Sequence, residues 1–141
     1  DVVRTEPRLP DGTPFPTTYY LTCPRLSSTI GTLESQGVMR EMELRLQADA
    51  GLADAYRRAH EHYLRERRAL GDVEEIAGIS AGGMPDRVKC LHVLVAPSLG
   101  AGPGVNPLGD EALAMLPQWW QRHPCSADAP GSAAAQGEAS A

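Results

Sequence analysis

The stretch Thr17-Thr18-Tyr19-Tyr20-Leu21-Thr22-Cys23-Pro24, continued by Arg25-Leu26-Ser27-Ser28-Thr29-Ile30-Gly31-Thr32-Leu33, decides the fold, because one periodicity ends inside it and another begins. Residues 17–22 are β-branched and aromatic apart from Leu21, a composition that packs well on a pleated surface. Cys23-Pro24 stops that run, since proline has no N–H to give a strand ladder. Beyond it Leu26, Ile30 and Leu33 recur at helical spacing, Ser27 and Ser28 can cap, and Gly37 is placed to end the element, so a helix is predicted over about 26–36.

Upstream, Val2, Val3 and Thr5 give residues 2–8 strand character, and the proline-rich segment 10–16 makes a stiff connection to 17–22. The two runs form a β-hairpin in which Pro7 puts the first strand at an edge or ends it early. Downstream, Val38 to Ala48 carries Met39, Met42 and Leu46 on one helical face. Asp49 or Gly51 starts a longer helix with the apolar stripe Leu52, Ala55, Ala59, Tyr63 and Leu70, and the weak break at Asp49-Ala50-Gly51 allows one kinked helix instead. Pro85 suits a first helical turn, which predicts a buried central helix over about 85–96, with buried strand as the alternative for so apolar a run. Pro97 ends or kinks it. Residues 100–109 read as a glycine- and proline-rich loop, and Asp110 as the cap of a last helix from Glu111 to about Trp120. Of Trp119 and Trp120, adjacent on that helix, one is expected to pack on the core.

The expected class is therefore α+β: an N-terminal β-hairpin packed on a mainly helical bundle, forming one domain over residues 1–125. From Ser126 the composition turns to Ala, Ser, Gly and Pro, too poor in large apolar groups to offset ordering entropy, so a disordered tail is expected over 126–141.

The 141 residues carry a formal net charge of −5 and few aromatics, which gives no global signature for nucleic acid or anionic membrane. Any phosphate contact must be local. No apolar run approaches the roughly 18 residues that a bilayer-spanning helix needs, so no membrane insertion is expected. Asp1-Val2-Val3-Arg4 has neither the basic start nor the apolar stretch of a secretion signal. Three cysteines outside any disulfide-dense pattern point to reduced thiols and a cytoplasmic location.

Reactive side chains are densest in Gly82-Gly83-Met84-Pro85-Asp86-Arg87-Val88-Lys89-Cys90-Leu91-His92. Three chemistries compete for it. Cys23, Cys90 and Cys125, with His92 or His123 as a fourth ligand, could hold zinc or, as the alternative, an iron–sulfur cluster. Against this, no two cysteines are closely spaced, Cys90 and His92 would face apart on a helix, and Cys90 also suits a small core position. Gly82, Gly83, Asp86, Arg87 and Lys89 could instead bind an anion at a helix start, as part of an enzyme or binding protein for a phosphorylated or otherwise anionic small molecule. The plainer account is a capped helix whose Asp86 and Arg87 pair with neighbouring loops. A nucleophilic Cys90 with His60, His62, His92 or His123 as base is the third chemistry. Tyr56, His60, Tyr63 and Arg67 recur on one helical stripe and suit either a protein partner or the core, with nucleic acid the weaker reading.

The segments PRLPDGTPFPT at 7–17, YYLTCP at 19–24, GGMPDRVKCLH at 82–92 and AGPGVNPLGDEA at 101–112 resemble an uncharacterised actinobacterial family, the domain-of-unknown-function family numbered 501, over about residues 3–125. Its members usually carry an upstream Cys-x-Cys-Gly ahead of the segment that begins here at Asp1, and the present sequence does not include it. The resemblance implies that a four-thiolate site could assemble with Cys23 in the longer form. Function is thus expected to be that of a metal-binding or protein-interaction module, with anion chemistry at 82–92 as the alternative.

Overall fold

The computed structural model describes residues 1–121. Strand β1, Val2–Arg4, pairs antiparallel with β2, Tyr19–Leu21, with Val2 opposite Leu21 and Arg4 opposite Tyr19. Both strands are shorter than their strand-favouring runs, since Pro7 and Pro24 bound the segments that can give N–H groups to a ladder. An isolated bridge between Arg8 and Pro14 carries the hairpin on toward its loop. Five α-helices follow among the described residues: α1 Pro24–Glu34, α2 Val38–Ala48, α3 Ala50–Leu70, α4 His92–Gly100 and α5 Pro107–Met115. The class is α+β, a hairpin with a mainly helical remainder, as the sequence predicts. The tail expected over 126–141 lies outside the described residues.

Local chemistry sets the helix starts. The Cys23 sulfur accepts the Leu26 N–H at 3.5 Å, and Pro24 fills the first turn of α1. Asp49 is extended and its carboxylate accepts the Leu52 N–H at 3.1 Å, so α2 and α3 are two helices rather than one kinked helix. On α3 the buried stripe is Tyr56, Ala59, Tyr63 and Arg67. Leu52 and Ala55 are only half-buried and Leu70 is exposed, because the stripe is rotated toward the tyrosines. The Tyr63 hydroxyl accepts the Thr18 N–H at 2.6 Å, and Tyr56 donates to the Arg87 carbonyl at 2.9 Å. That stripe is core, not a partner or nucleic-acid surface.

Two helix predictions need correction. Residues 85–91 are not helical, and α4 begins only at His92. Gly82 and Gly83 adopt positive φ, and carboxylates from α1 and α2 take N–H groups of the following segment, so the backbone there has partners other than its own turns. The helix then runs through Pro97 to Gly100 instead of ending there. At the other end α5 starts at Pro107, because Asn106 rather than Asp110 is the cap: its Oδ1 accepts the Gly109 N–H at 3.0 Å. Asp110 accepts the Gly104 N–H at 2.8 Å instead. The helix ends at Met115 and not near Trp120, so both tryptophans lie beyond it; Trp119 nevertheless packs half-buried against the core and Trp120 is exposed.

The apolar α4 lies at the centre, with Leu94, Val95 and Ala96 fully buried. The closest approach is to α5, where a Cβ placed on Gly109 would sit 2.1 Å from the Leu94 carbonyl oxygen and 2.6 Å from the Ser98 Oγ. Gly109→Ala should therefore cost about 3 kcal/mol in urea unfolding, as overpacking of a tight contact does. A loss below about 0.5 kcal/mol would show that α5 can move away without penalty. A second constraint is Arg67, 4% exposed, which donates to the Pro16 carbonyl at 2.9 Å and the Ile76 carbonyl at 2.5 Å. It faces carbonyls instead of a carboxylate, and burial lowers its pKa. Arg67→Met keeps much of the apolar stem but strips both carbonyls of a donor, and should destabilise by about 2–4 kcal/mol, at about 1–3 kcal/mol per unsatisfied group. Unchanged stability would mean that water replaces the guanidinium.

Candidate metal centre

The end of α1 and the start of α4 meet at three donor atoms. The Glu34 Oε1 lies 3.2 Å from the His92 Nδ1, and the Cys90 Sγ lies 3.7 Å from that same nitrogen. The three donors all fall within 4.8 Å of one another, and each residue is half-buried. Cys90 and His92 come together because Cys90 precedes the helix, where the facing rule of a continuous helix does not apply.

The histidine's orientation fixes the chemistry. His92 Nε2 lies 3.0 Å from the Ser27 carbonyl oxygen, which can only accept, so Nε2 carries a hydrogen. In the neutral ring Nδ1 then presents its lone pair to the Glu34 oxygen. Two lone pairs at 3.2 Å need a cation between them, either a proton or a metal ion. A histidine that ligates through one nitrogen commonly gives its other N–H to a carbonyl or carboxylate, which is the arrangement at Ser27.

Glu34 is the residue that sequence reading missed. It closes α1, whose last turn holds no basic residue, and a carboxylate there faces the negative end of the helix dipole. That mismatch is the one sequence signal that could have singled it out. Glu34 Oε1 also accepts the Leu91 N–H at 2.7 Å. Cys90 is a free thiol whose pKa is raised, first by burial and also by the Glu34 carboxylate, while the Val93 N–H works in the opposite direction. Without a cation it stays protonated, which weakens the nucleophilic reading.

The remaining candidates divide. Cys23 caps α1 and is disulfide-bonded, so it offers no thiolate, and the expectation that all thiols are reduced does not hold for it. Cys125 and His123 lie outside the described residues. Gly82, Gly83 and Lys89 line one cavity of about 410 Å³ together with Cys90, whereas Asp86 and Arg87 do not line it. The Arg87 guanidinium is largely exposed, with its Nε 3.7 Å from Glu43 Oε1. Thus only part of the proposed anion loop converges. A smaller cavity of about 220 Å³, lined by Tyr19, Tyr20, Ser27 and His92 among others, meets the first at Thr17 and Val93.

His60 belongs to a separate contact, its Nδ1 2.8 Å from the Ser80 Oγ. Ser80 is 2% exposed, and the pair ties the loop before the glycines to α3. Burial lowers the His60 pKa against the opposing pull of Glu61 and Asp86. A histidine held neutral in the fold binds its proton more readily when unfolded, so stability is present at neutral pH and falls as pH drops through about 6.5 toward the folded pKa. Urea midpoints at pH 7.5 and 5.5 should therefore fall further for the parent protein than for His60→Gln. Equal falls would remove His60 as a source of acid sensitivity.

No helix among the described residues is long and apolar enough to cross a membrane. The family described as Protein of unknown function (DUF501) matches residues 1–114, and the chain belongs to it. No curated protein and no solved structure matches the chain.

Proposed function

We propose that this protein binds a zinc ion through Glu34 Oε1, Cys90 Sγ and His92 Nδ1, with a fourth coordination position left open. The observation that carries the reading is the agreement of the two separations from His92 Nδ1 with zinc geometry, all three donors lying within 4.8 Å of one another. With Zn–N and Zn–O bonds of about 2.0–2.2 Å and a Zn–S bond of about 2.3 Å, a tetrahedron has edges of about 3.4 Å between N and O and about 3.6 Å between N and S. The corresponding separations are 3.2 and 3.7 Å. The carbonyl behind His92 and a carboxylate at the end of α1, where the last turn holds no basic residue, support the same reading. One thiolate, one imidazole and one carboxylate favour zinc over an iron–sulfur cluster, which is held mainly by thiolates. Three protein ligands with an open place are the pattern of zinc sites that act on a bound molecule, whereas structural sites are closed by four.

The test is metal uptake by protein purified without a histidine tag. One equivalent of zinc should bind, and cobalt(II) in its place should give a thiolate-to-metal charge-transfer band. Cys90→Ala should abolish the band, and His92→Ala should weaken uptake by about 100-fold or more. Glu34→Gln removes the charge but keeps an acceptor for the Leu91 N–H, and should weaken uptake by about tenfold or more with the fold intact by circular dichroism. Uptake below about one-tenth of an equivalent, or a cobalt spectrum indifferent to Cys90→Ala, would defeat the proposal.

A further inference from the structure

One of the three proposed ligands, Cys90, borders a cavity whose lining narrows what a metal held there could share, whereas His92 lines the smaller cavity beside it and Glu34 lines neither. Cys90 lines the cavity of about 410 Å³, a size within the range that holds small molecules. Lys89 lines the same cavity, and among the described residues its ammonium forms no ion pair with a carboxylate, unlike Arg4, Arg8, Arg45, Arg57 and Arg87. Its stem lies against Gly83, where an added Cβ would come within 3.0 Å of the Lys89 Cγ and where φ is +88°. A side chain at position 83 would be strained by that φ and would crowd the stem. The cavity therefore has a cationic edge next to the proposed metal ligand.

Apart from Thr17 and Ser80, the rest of the lining carries no polar side chain. Pro16, Ile79, Met84 and Val93 share the cavity, and Ile79 is 60% exposed although it is a large aliphatic group beside a concave surface. An isolated exposed isoleucine has no significance by itself, but one at the edge of a cavity holding a free cation adds an apolar wall to a charged one.

We infer that this cavity binds a small amphiphilic oxyanion: a phosphate or carboxylate head between the metal's open position and Lys89, with an apolar body against Ile79, Met84 and Val93. The inference rests on the zinc reading, since the metal supplies half of the head-group site. It keeps Gly82, Gly83 and Lys89 of the expected anion loop and drops Asp86 and Arg87, neither of which lines the cavity.

The experiment uses cobalt-loaded protein titrated with inorganic phosphate, phenyl phosphate, benzoate and phenol, reading the cobalt spectrum and calorimetric affinity. Phenyl phosphate and benzoate should shift the visible bands, phenol should not, and phenyl phosphate should bind about tenfold more tightly than inorganic phosphate through its buried ring. A preference between phenyl phosphate and benzoate tells which head group the site takes. Lys89→Met, at an exposed position, should weaken both phosphates by about tenfold or more with cobalt uptake unchanged. Ile79→Ser should erase the advantage of phenyl phosphate and leave inorganic phosphate as before. Normal cobalt uptake with no spectral response to either phosphate or benzoate, or affinities indifferent to Lys89→Met, would overturn the inference while leaving the zinc reading intact. Failure to take up cobalt at all would overturn the zinc reading and, with it, this one.

Discussion

Two carboxylates from distant helices hold the segment that enters α4. Glu43 on α2 accepts the Val88 N–H at 3.1 Å, and Glu34 at the end of α1 accepts the Leu91 N–H at 2.7 Å. These charge-assisted bonds are stronger than the neutral helical bonds they stand in for. They hold 85–91 in an irregular path and start α4 at His92. The rest of the architecture hangs on where that helix starts. Its position puts Leu94, Val95 and Ala96 in the centre of the molecule and presents the Leu94 carbonyl to Gly109 of α5. It also turns Cys90 and His92 toward the same point.

The site draws on an electrostatic arrangement that the fold alone does not require. A carboxylate at the negative end of α1 is unfavourable, and Glu34 is held there by the Leu91 N–H on one side and the His92 ring on the other. The proposed cation reverses that penalty, since it answers the carboxylate, the imidazole lone pair and the helix end at once. Natural proteins commonly keep such unfavourable charges where a ligand makes use of them.

Most of the frame was legible in the sequence. Strand character at Tyr19–Leu21, the bounds of α2 and a helix after Cys23-Pro24 follow from period and punctuation, which are local signals. The error at 85–96 has a non-local cause: a Val-rich run does not reveal that glutamates more than 40 residues away will take its N–H groups. That error also hid the site, because a continuous helix turns Cys90 and His92 apart. Glu34 escaped notice for a related reason. Within α1 it looks like an ordinary polar end, and only the tertiary contact gives it a chemical partner. The apolar stripe on α3 was read correctly at Ala59 and Tyr63 and wrongly at Leu52, Ala55 and Leu70, since both versions satisfy helical spacing and only packing chooses between them.

The contact between Glu34 and His92 joins residues 58 positions apart. Compact zinc modules gather their ligands from short loops and can be excised as peptides that fold around the ion. Here the donors meet only when α1 and α4 have docked through the shared core, so no short fragment would contain the proposed centre. The site is a product of the finished tertiary structure, and its presence certifies that two distant parts of the chain have found each other. A swap of either segment into another scaffold would carry the residues without the geometry, which makes the proposed centre a property of the whole fold and not a portable motif.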